Sequence, residues 1–293
     1  MDWNSRRITA ILENALQEDR ATRDTTTSTV LDPRQRATAT LYVKQDCVLA
    51  GVGAVKRVLQ VFEQMDPTVI GHSEVISHPE VFDGVRMPSG RQVAVIRHNA
   101  RAILATERVI LNLLQRMSGI ATMTRKFTDA IAGTSARILD TRKTMPGLRI
   151  LDKYAIRCGG GYNARQDLAD GMLIKHNHAE LVGGVAQAVQ RAVKQRVGNE
   201  PRIQVEVRNI NEMSAALKAG AESILLDGMS VEQVHEAVAN VLKSEKPVPV
   251  ECSGGVTMDN VRAYAETGVN YISIGALTHS AMAVNMSMKV EPA

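Results

Sequence analysis

Two adjacent cations, Arg142 and Lys143, stand in the stretch DTRKTMPGLR, which follows the β-rich run Arg137-Ile138-Leu139 and carries a Pro-Gly breaker. Arginine offers a planar fork that grips a carboxylate or phosphate through two hydrogen bonds, whereas lysine is a mobile point charge. Together they suit different parts of a multiply anionic ligand. A solvated corner carries the same dipeptide, so the pair alone decides nothing. The ends of later apolar segments add Lys175, Glu206, Asp227, the turn Ser253-Gly254-Gly255 and Gly275, with Arg165 in the loop before the second segment. If these segments are parallel strands, their carboxyl ends share one face and the side chains meet around one mouth.

ECSGGV followed by TMDNVRAY reads as strand, glycine turn and helix. Backbone N–H groups in such a turn form a phosphate cradle, and glycine lets the phosphate approach the main chain. Glu206 and Asp227 close consecutive predicted strands. Carboxylates so placed hydrogen-bond sugar hydroxyls, favour a developing cation or help hold hydrated Mg²⁺, and they serve equally as salt-bridge partners for nearby lysines. His176 and His178 fall on one face of a predicted strand without an evident third metal ligand. GVGAVK at residues 51–56 lacks the third glycine and the acidic follow-up of a nucleotide fingerprint, and the glycines at 159–161 read as a helix terminus.

These residues need a scaffold, and the chain supplies a repeating one from residue 137 onward. Apolar, β-rich segments begin near Arg137, Met172, Ile203, Ser223, Pro249 and Tyr271, with helix-period segments between them. Two helices show apolar stripes. One has Val231, Val234, Val238, Val241 and Leu242 behind a Ser230/Gln233 capping box, and the other has Val185, Val189, Ala192, Val193 and Val197. Compact uninterrupted units whose strands end in polar or glycine-bearing clusters favour a barrel over an open sheet. Six strands make it an incomplete one. The first hundred residues or so read as an α+β domain. It has a helix near residues 5–18, a Thr-rich turn at DTTTSTVLDP, and strands at ATATLYVK, CVLAGV, TVIGHSEVIS and RQVAVIR. A further helix spans Gly53 to Gln64, and long helical segments cover roughly Ala100 to Ala132.

Composition bounds the function. With 293 residues, 44% apolar and 23% charged, the chain suits a globular protein with a substantial core. No apolar run approaches the ~18 residues of a membrane span and MDWNSRR lacks a secretory h-region, so the expected address is the cytoplasm. Cys47, Cys158 and Cys252 are far apart without a CxxC and read as reduced thiols. Asn285-Met286-Ser287 then has no meaning as a glycosylation site. The net charge of +4 is scattered and only 3% of residues are aromatic, which fits small anionic substrates and argues against nucleic acid.

ERVILNLLQRMSGIAT, DTRKTMPGLR, KYAIRCGGGYN, LIKHNH, VEVRN, ILLDG, ECSGG and ISIGALTHS, in this order, resemble the quinolinate phosphoribosyltransferase family over nearly the whole chain. The resemblance implies an α/β protein: an N-terminal α/β sandwich over 1–115, rejoined by the tail 280–293, and a six-stranded incomplete α/β barrel over 116–279. It implies Mg²⁺-dependent condensation of quinolinate with 5-phosphoribosyl-1-pyrophosphate, releasing pyrophosphate and CO2 and giving nicotinate mononucleotide for NAD synthesis. It also implies a homodimer or larger assembly. Carried over by motif, Arg142 and Arg165 bind the quinolinate carboxylates, with Lys143 and Lys175 between that dianion and the phosphoribosyl donor, and Thr144 is a further substrate-binding residue. Arg108 resembles the arginine delivered across a dimer interface. Glu206 and Asp227 would contact the ribose hydroxyls and the metal shell, the metal being held chiefly through pyrophosphate. Ser253, Gly254, Gly255, Gly275 and His279 look like the 5'-phosphate site.

Two positions depart from the family pattern. Asn163-Ala164-Arg165 stands where Asn-His-Arg is common, and Lys175-His176-Asn177-His178 where Lys-Asp-Asn-His is usual. They keep open a related phosphoribosyltransferase of the family's molybdenum-transport-associated branch. A lysine at a barrel strand end also admits a Schiff-base aldolase acting on a phosphosugar through Lys175.

Overall fold

The computed structural model describes residues 1–198 and 200–293. Among them the strands are, in chain order, β1 (Arg36–Val43), β2 (Cys47–Val48), β3 (Glu74–Ile76), β4 (Arg86–Met87), β5 (Gln92–Asn99), β6 (Arg137–Leu139), β7 (Met172–Ile174), β8 (Ile203–Val207), β9 (Ser223–Asp227), β10 (Val250–Ser253), β11 (Tyr271–Ser273) and β12 (Met286–Pro292). The chain forms two compact units, one of Met1–Met123, Met145–Gly160 and Ser280–Ala293, the other of Thr124–Thr144 and Gly161–His279. Residues 116–123 and 145–160, which the sequence reading gave to the barrel, therefore group with the first unit.

In the first unit an antiparallel sheet runs β12-β1-β5-β3. β1 shows why it forms: Ala37, Ala39, Leu41 and Val43 are buried and the threonines between them are half-exposed, the period-two pattern of a strand with one covered face. The helix Arg6–Glu18 buries Ile8, Leu12 and Leu16, and the helix Val52–Met65 buries a stripe from Ala54 to Phe62. The Thr-rich segment is not a turn. Thr25–Val30 is a helix whose cap, Asp24, accepts the Thr27 N–H at 3.0 Å and the Thr27 hydroxyl, so local side-chain capping overrides poor helix propensity. The predicted strands at CVLAGV and TVIGHSEVIS shrink to the short β2 and β3.

The segment 145–160 is tied into this unit by charge. Its helix, Arg149–Cys158, places Asp152 fully out of solvent, where the carboxylate accepts both Arg116 Nε at 2.8 Å and Arg116 Nη2 at 2.7 Å. The same carboxylate takes the Met145 N–H at 3.0 Å, and the Tyr154 hydroxyl donates to Asp83 at 2.5 Å.

The second unit is the incomplete α/β barrel. All of its strand pairs are parallel, in the order β6-β11-β10-β9-β8-β7, so β6 and β7 are the two free edges. Outward-facing Ile203, Val205, Val207, Ile224, Leu226 and Ile272 are fully buried; removing such side chains from water contributes ~1.5–3 kcal/mol each. The helix Val231–Leu242 has the expected Ser230/Gln233 capping box and buries Val234, Ala237, Val238 and Val241. Leu242 is exposed, however, as are Val193 and Val197 at the end of the helix Val185–Gln195, so the two predicted stripes are narrower than their sequence periods. His176 and His178 lie in the helix His176–Val182 rather than on a strand: β7 ends at Ile174, and the His178 ring takes the Lys175 N–H at 3.0 Å as part of that helix's cap.

Arg116→Ala strips a fully buried carboxylate of its counter-ion, and such a loss costs about 3–5 kcal/mol. Equilibrium urea unfolding should record a drop of that size; a change under about 1 kcal/mol would show that Asp152 does not depend on Arg116.

Candidate active site

Side chains along parallel strands alternate between the helix-covered face and the barrel axis. Along the axis side of β8, β9, β10 and β11 stand Gln204 and Glu206; Ser223, Leu225 and Asp227; Glu251 and Ser253; and Tyr271 and Ser273. Most of these are polar, and they do not fill the barrel in the apolar layers of a closed eight-stranded one. They line a cavity of about 660 Å³ that reaches from the carboxyl ends of the strands down to Arg202, Ser223 and Pro249 at their amino ends. The register sets two levels: Glu206 is level with Leu225, Glu251 and Tyr271, and Asp227 is level with Ser253, Ser273 and Leu139.

Arg142, Lys143, Arg165, Lys175, Glu206, Asp227 and Ser253 all line this cavity. The fold thus brings together three cations from the connection between β6 and β7, one from the end of β7, and carboxylates from β8 and β9. Arg142 is half-buried, and its Nε is fully out of solvent without a hydrogen-bond partner, a donor held ready for an acceptor that the protein does not supply. Arg165 donates to the Gly171 carbonyl at 3.2 Å, and burial, followed by repulsion from Arg142, holds its guanidinium pKa below the usual value. Neither guanidinium is fully matched by protein acceptors.

Lys143 takes a different path from Arg142. The Thr278 hydroxyl donates to its carbonyl at 2.9 Å, and its stem lies so close to Gly275 that a Cβ there would meet Lys143 Cδ at 2.8 Å and His279 Nε2 at 3.2 Å. Gly275 and His279 therefore sit beside Lys143, just past the end of β11. Lys175 is the N-cap of the helix His176–Val182, and the His176 N–H donates to Glu206 at 3.3 Å. In the turn after β10, Gly254 and Gly255 both have positive φ, +86° and +71°. A Cβ on Gly254 would approach Gly228 N to 2.9 Å, whereas the space beside Gly255 is open. Gly254, Gly255, Gly275, His279 and Thr144 adjoin the cavity-lining residues in sequence or space without lining the cavity wall themselves. Arg108 is an exposed side chain on the helix Ala100–Ala130 in the first unit.

Reading only strand ends misses the deeper polar groups. Glu251 is nearly enclosed, and Gln204 Nε2 donates to it at 2.7 Å; burial pushes its pKa up against the opposing hydrogen bonds from Ser273 and Gln204. Asp140, at the end of β6, is fully buried and accepts Asn163 Nδ2 at 2.7 Å and Ala164 N–H at 2.8 Å. The signal for Glu251 and Gln204 was the strand period itself, since each lies two residues before a chosen site residue, Ser253 and Glu206.

Fold and site define an open α/β barrel with a cavity at its axis on which four of the expected cations meet. Models of quinolinate phosphoribosyl transferase match the chain in two parts, the N-terminal domain over residues 24–118 and the C-terminal domain over 120–289. The nicotinate-nucleotide pyrophosphorylase (carboxylating) of Mycobacterium leprae is 40% identical, over 94% of this chain and 95% of that one. A probable enzyme of the same name from Bacillus subtilis is 37% identical, over 98% and 94%. The crystal structure of nicotinate-nucleotide pyrophosphorylase from Ehrlichia chaffeensis superimposes with a TM-score of 0.87 at 35% identity, covering 96% of this chain and 98% of that one. The chain belongs to the quinolinate phosphoribosyl transferase family and is a phosphoribosyltransferase enzyme. No helix among the described residues is long and apolar enough to cross a membrane.

Glu251 binds its proton more tightly folded than unfolded, so its contribution to stability is complete at low pH and fades as pH rises from the ordinary carboxylate range towards its raised folded value. Glu251→Gln removes this dependence. Urea midpoints measured between about pH 5 and pH 8 should show the variant gaining on wild type as pH rises; parallel curves would place an ordinary carboxylate at the barrel floor.

Proposed function

We propose that the protein condenses quinolinate with 5-phosphoribosyl-1-pyrophosphate to give nicotinate mononucleotide, pyrophosphate and CO2, as the cytoplasmic entry of quinolinate into NAD synthesis. The observation that carries the reading is the buried, unpartnered Nε of Arg142 in a cavity shared with Lys143, Arg165 and Lys175. Both substrates are polyanions, and without fixed cations they would repel one another in a common site.

In this reading Arg142 and Arg165 hold the two quinolinate carboxylates through charge-assisted hydrogen bonds. Lys143 and Lys175, with Thr144 nearby, face the donor and stabilise departing pyrophosphate. Glu206 and Asp227 bind the ribose hydroxyls and favour the positive charge that grows at the anomeric carbon as the leaving group departs. Ser253 with the Gly254-Gly255 main chain, and Gly275 with His279, take the 5'-phosphate, for which the open space beside Gly255 and the two positive-φ glycines give support. The pyridine nitrogen attacks the anomeric carbon as pyrophosphate leaves and becomes a pyridinium, which stabilises the electron pair left when the adjacent carboxylate departs as CO2; that carbon then takes a proton from water. No side chain need act as a general base in that step. The exposed Arg108 completes a neighbour's cavity in a homodimer or larger assembly.

The donor set fits magnesium. Glu206 and Asp227 are hard oxygen donors, and no cluster of three His, Cys, Asp or Glu side chains among the described residues could hold a metal, so pyrophosphate oxygens would complete the shell. Bound there, Mg²⁺ would supply neutralisation of the pyrophosphate charge.

The test is an assay with the phosphoribosyl donor, Mg²⁺, and quinolinate or nicotinate as acceptor. The expected result is nicotinate mononucleotide with one CO2 per turnover from quinolinate, lost on chelation. Arg142→Ala should weaken quinolinate binding about 10- to 100-fold, the size of a lost charge-assisted contact, while the fold is retained. No product at saturating substrates, or full turnover by Arg142→Ala, would defeat the reading.

A further inference from the structure

The loop after the triple glycine is fastened to the free edge β6 by a backbone bridge and by one side chain. At the edge of β6 the chain leaving the triple glycine lays Tyr162 beside Leu139 as an isolated parallel bridge. The Tyr162 N–H donates to the Ile138 carbonyl at 2.8 Å, and the Asp140 N–H to the Tyr162 carbonyl at 3.1 Å. One step further on, the Asp140 side chain takes over from the backbone. Its Oδ1 accepts the Ala164 N–H at 2.8 Å and its Oδ2 accepts Asn163 Nδ2 at 2.7 Å. The carboxylate is completely buried, where such contacts are charge-assisted and stiff.

Arg142 lies two residues beyond Asp140, and Arg165 one residue beyond Ala164. The Asp140 carboxylate therefore joins the roots of both arginine-bearing segments, next to the backbone bridge. Something must, because the two guanidiniums repel: Arg142 is one of the causes that lower the Arg165 pKa, after burial. A ligand with one carboxylate needs one guanidinium fork, wherever it stands. A ligand with carboxylates on neighbouring ring carbons needs two forks at a set separation, and misplacing either forfeits the second contact.

We propose that Asp140 is a positioning residue that sets the separation of Arg142 and Arg165, and thereby selects a pyridine bearing two adjacent carboxylates over one bearing a single carboxylate. The proposal rests on the functional reading above. It assigns the choice of substrate to the contact that ties the loop before Arg165 to the end of β6, outside the side chains that touch the ligand.

The test is calorimetric titration of quinolinate and of nicotinate into wild type, Asp140→Ala and Asn163→Ala. The KM for the phosphoribosyl donor and the urea midpoint are measured on the same preparations. In Asp140→Ala quinolinate should bind about 10- to 100-fold more weakly, while nicotinate binding and the donor KM move less than about 3-fold. Asn163→Ala, which removes one of the two donors and leaves the carboxylate in place, should lose an intermediate part of the preference. If Asp140→Ala does not fold, Asn163→Ala carries the same comparison. An unchanged preference for quinolinate in the folded variants overturns the proposal, and so does an equal loss for quinolinate, nicotinate and donor, which is what a general structural defect gives. Failure of wild type to bind quinolinate is seen before any variant is compared; it defeats the functional reading, and the proposal with it.

Discussion

Like charges repel, and four cations around one cavity stay together only if the fold holds them there or anions join them. The barrel does the holding. Arg142 and Lys143 follow β6, Arg165 stands in the loop before β7 and Lys175 follows β7, and contacts around these segments help to place them. Thr278 holds the Lys143 carbonyl, the Gly171 carbonyl receives Arg165, and Asp140 ties the loop before Arg165 to the end of β6. In the proposed function an anionic ligand completes the charge balance and takes the buried Nε of Arg142, which has no partner in the protein.

The cavity exists because the barrel is incomplete and its axis is polar. Six strands leave β6 and β7 unjoined, and the side chains that would fill a closed barrel are here Gln204, Glu206, Ser223, Asp227, Glu251, Ser253 and Ser273, too small or too hydrophilic to pack as a dry core. Stability comes from the other face of the same strands, where Ile203, Val205, Val207, Ile224 and Leu226 lie against the helices. Period-two alternation thus divides the labour within each strand: one face folds the protein and the other binds.

Much of this was legible in the sequence, for physical reasons that differ by element. The six βα units stood out because buried parallel strands need apolar runs and their helices need apolar stripes. The strand-end residues followed from the parallel arrangement. What stayed hidden depended on long-range partners. Asp152 buries itself against Arg116, and no local pattern indicates that Met145–Gly160 leaves the barrel. Asp24 caps a helix where threonines predicted a turn, and the LIKHNH histidines turned out to start a helix because β7 is only three residues long. Asp140 was overlooked beside its louder neighbours, since a carboxylate bonded to a loop more than twenty residues on looks the same in sequence as a solvated one.

The central claim is that Arg142 and Arg165 together receive one dianion. A crystal structure of the protein with quinolinate bound tests it most directly. The account predicts one carboxylate on the Arg142 fork, with Nε engaged, and the adjacent carboxylate on Arg165. Quinolinate seated elsewhere in the cavity, or bound through Arg165 with Arg142 Nε still unpaired, would contradict it.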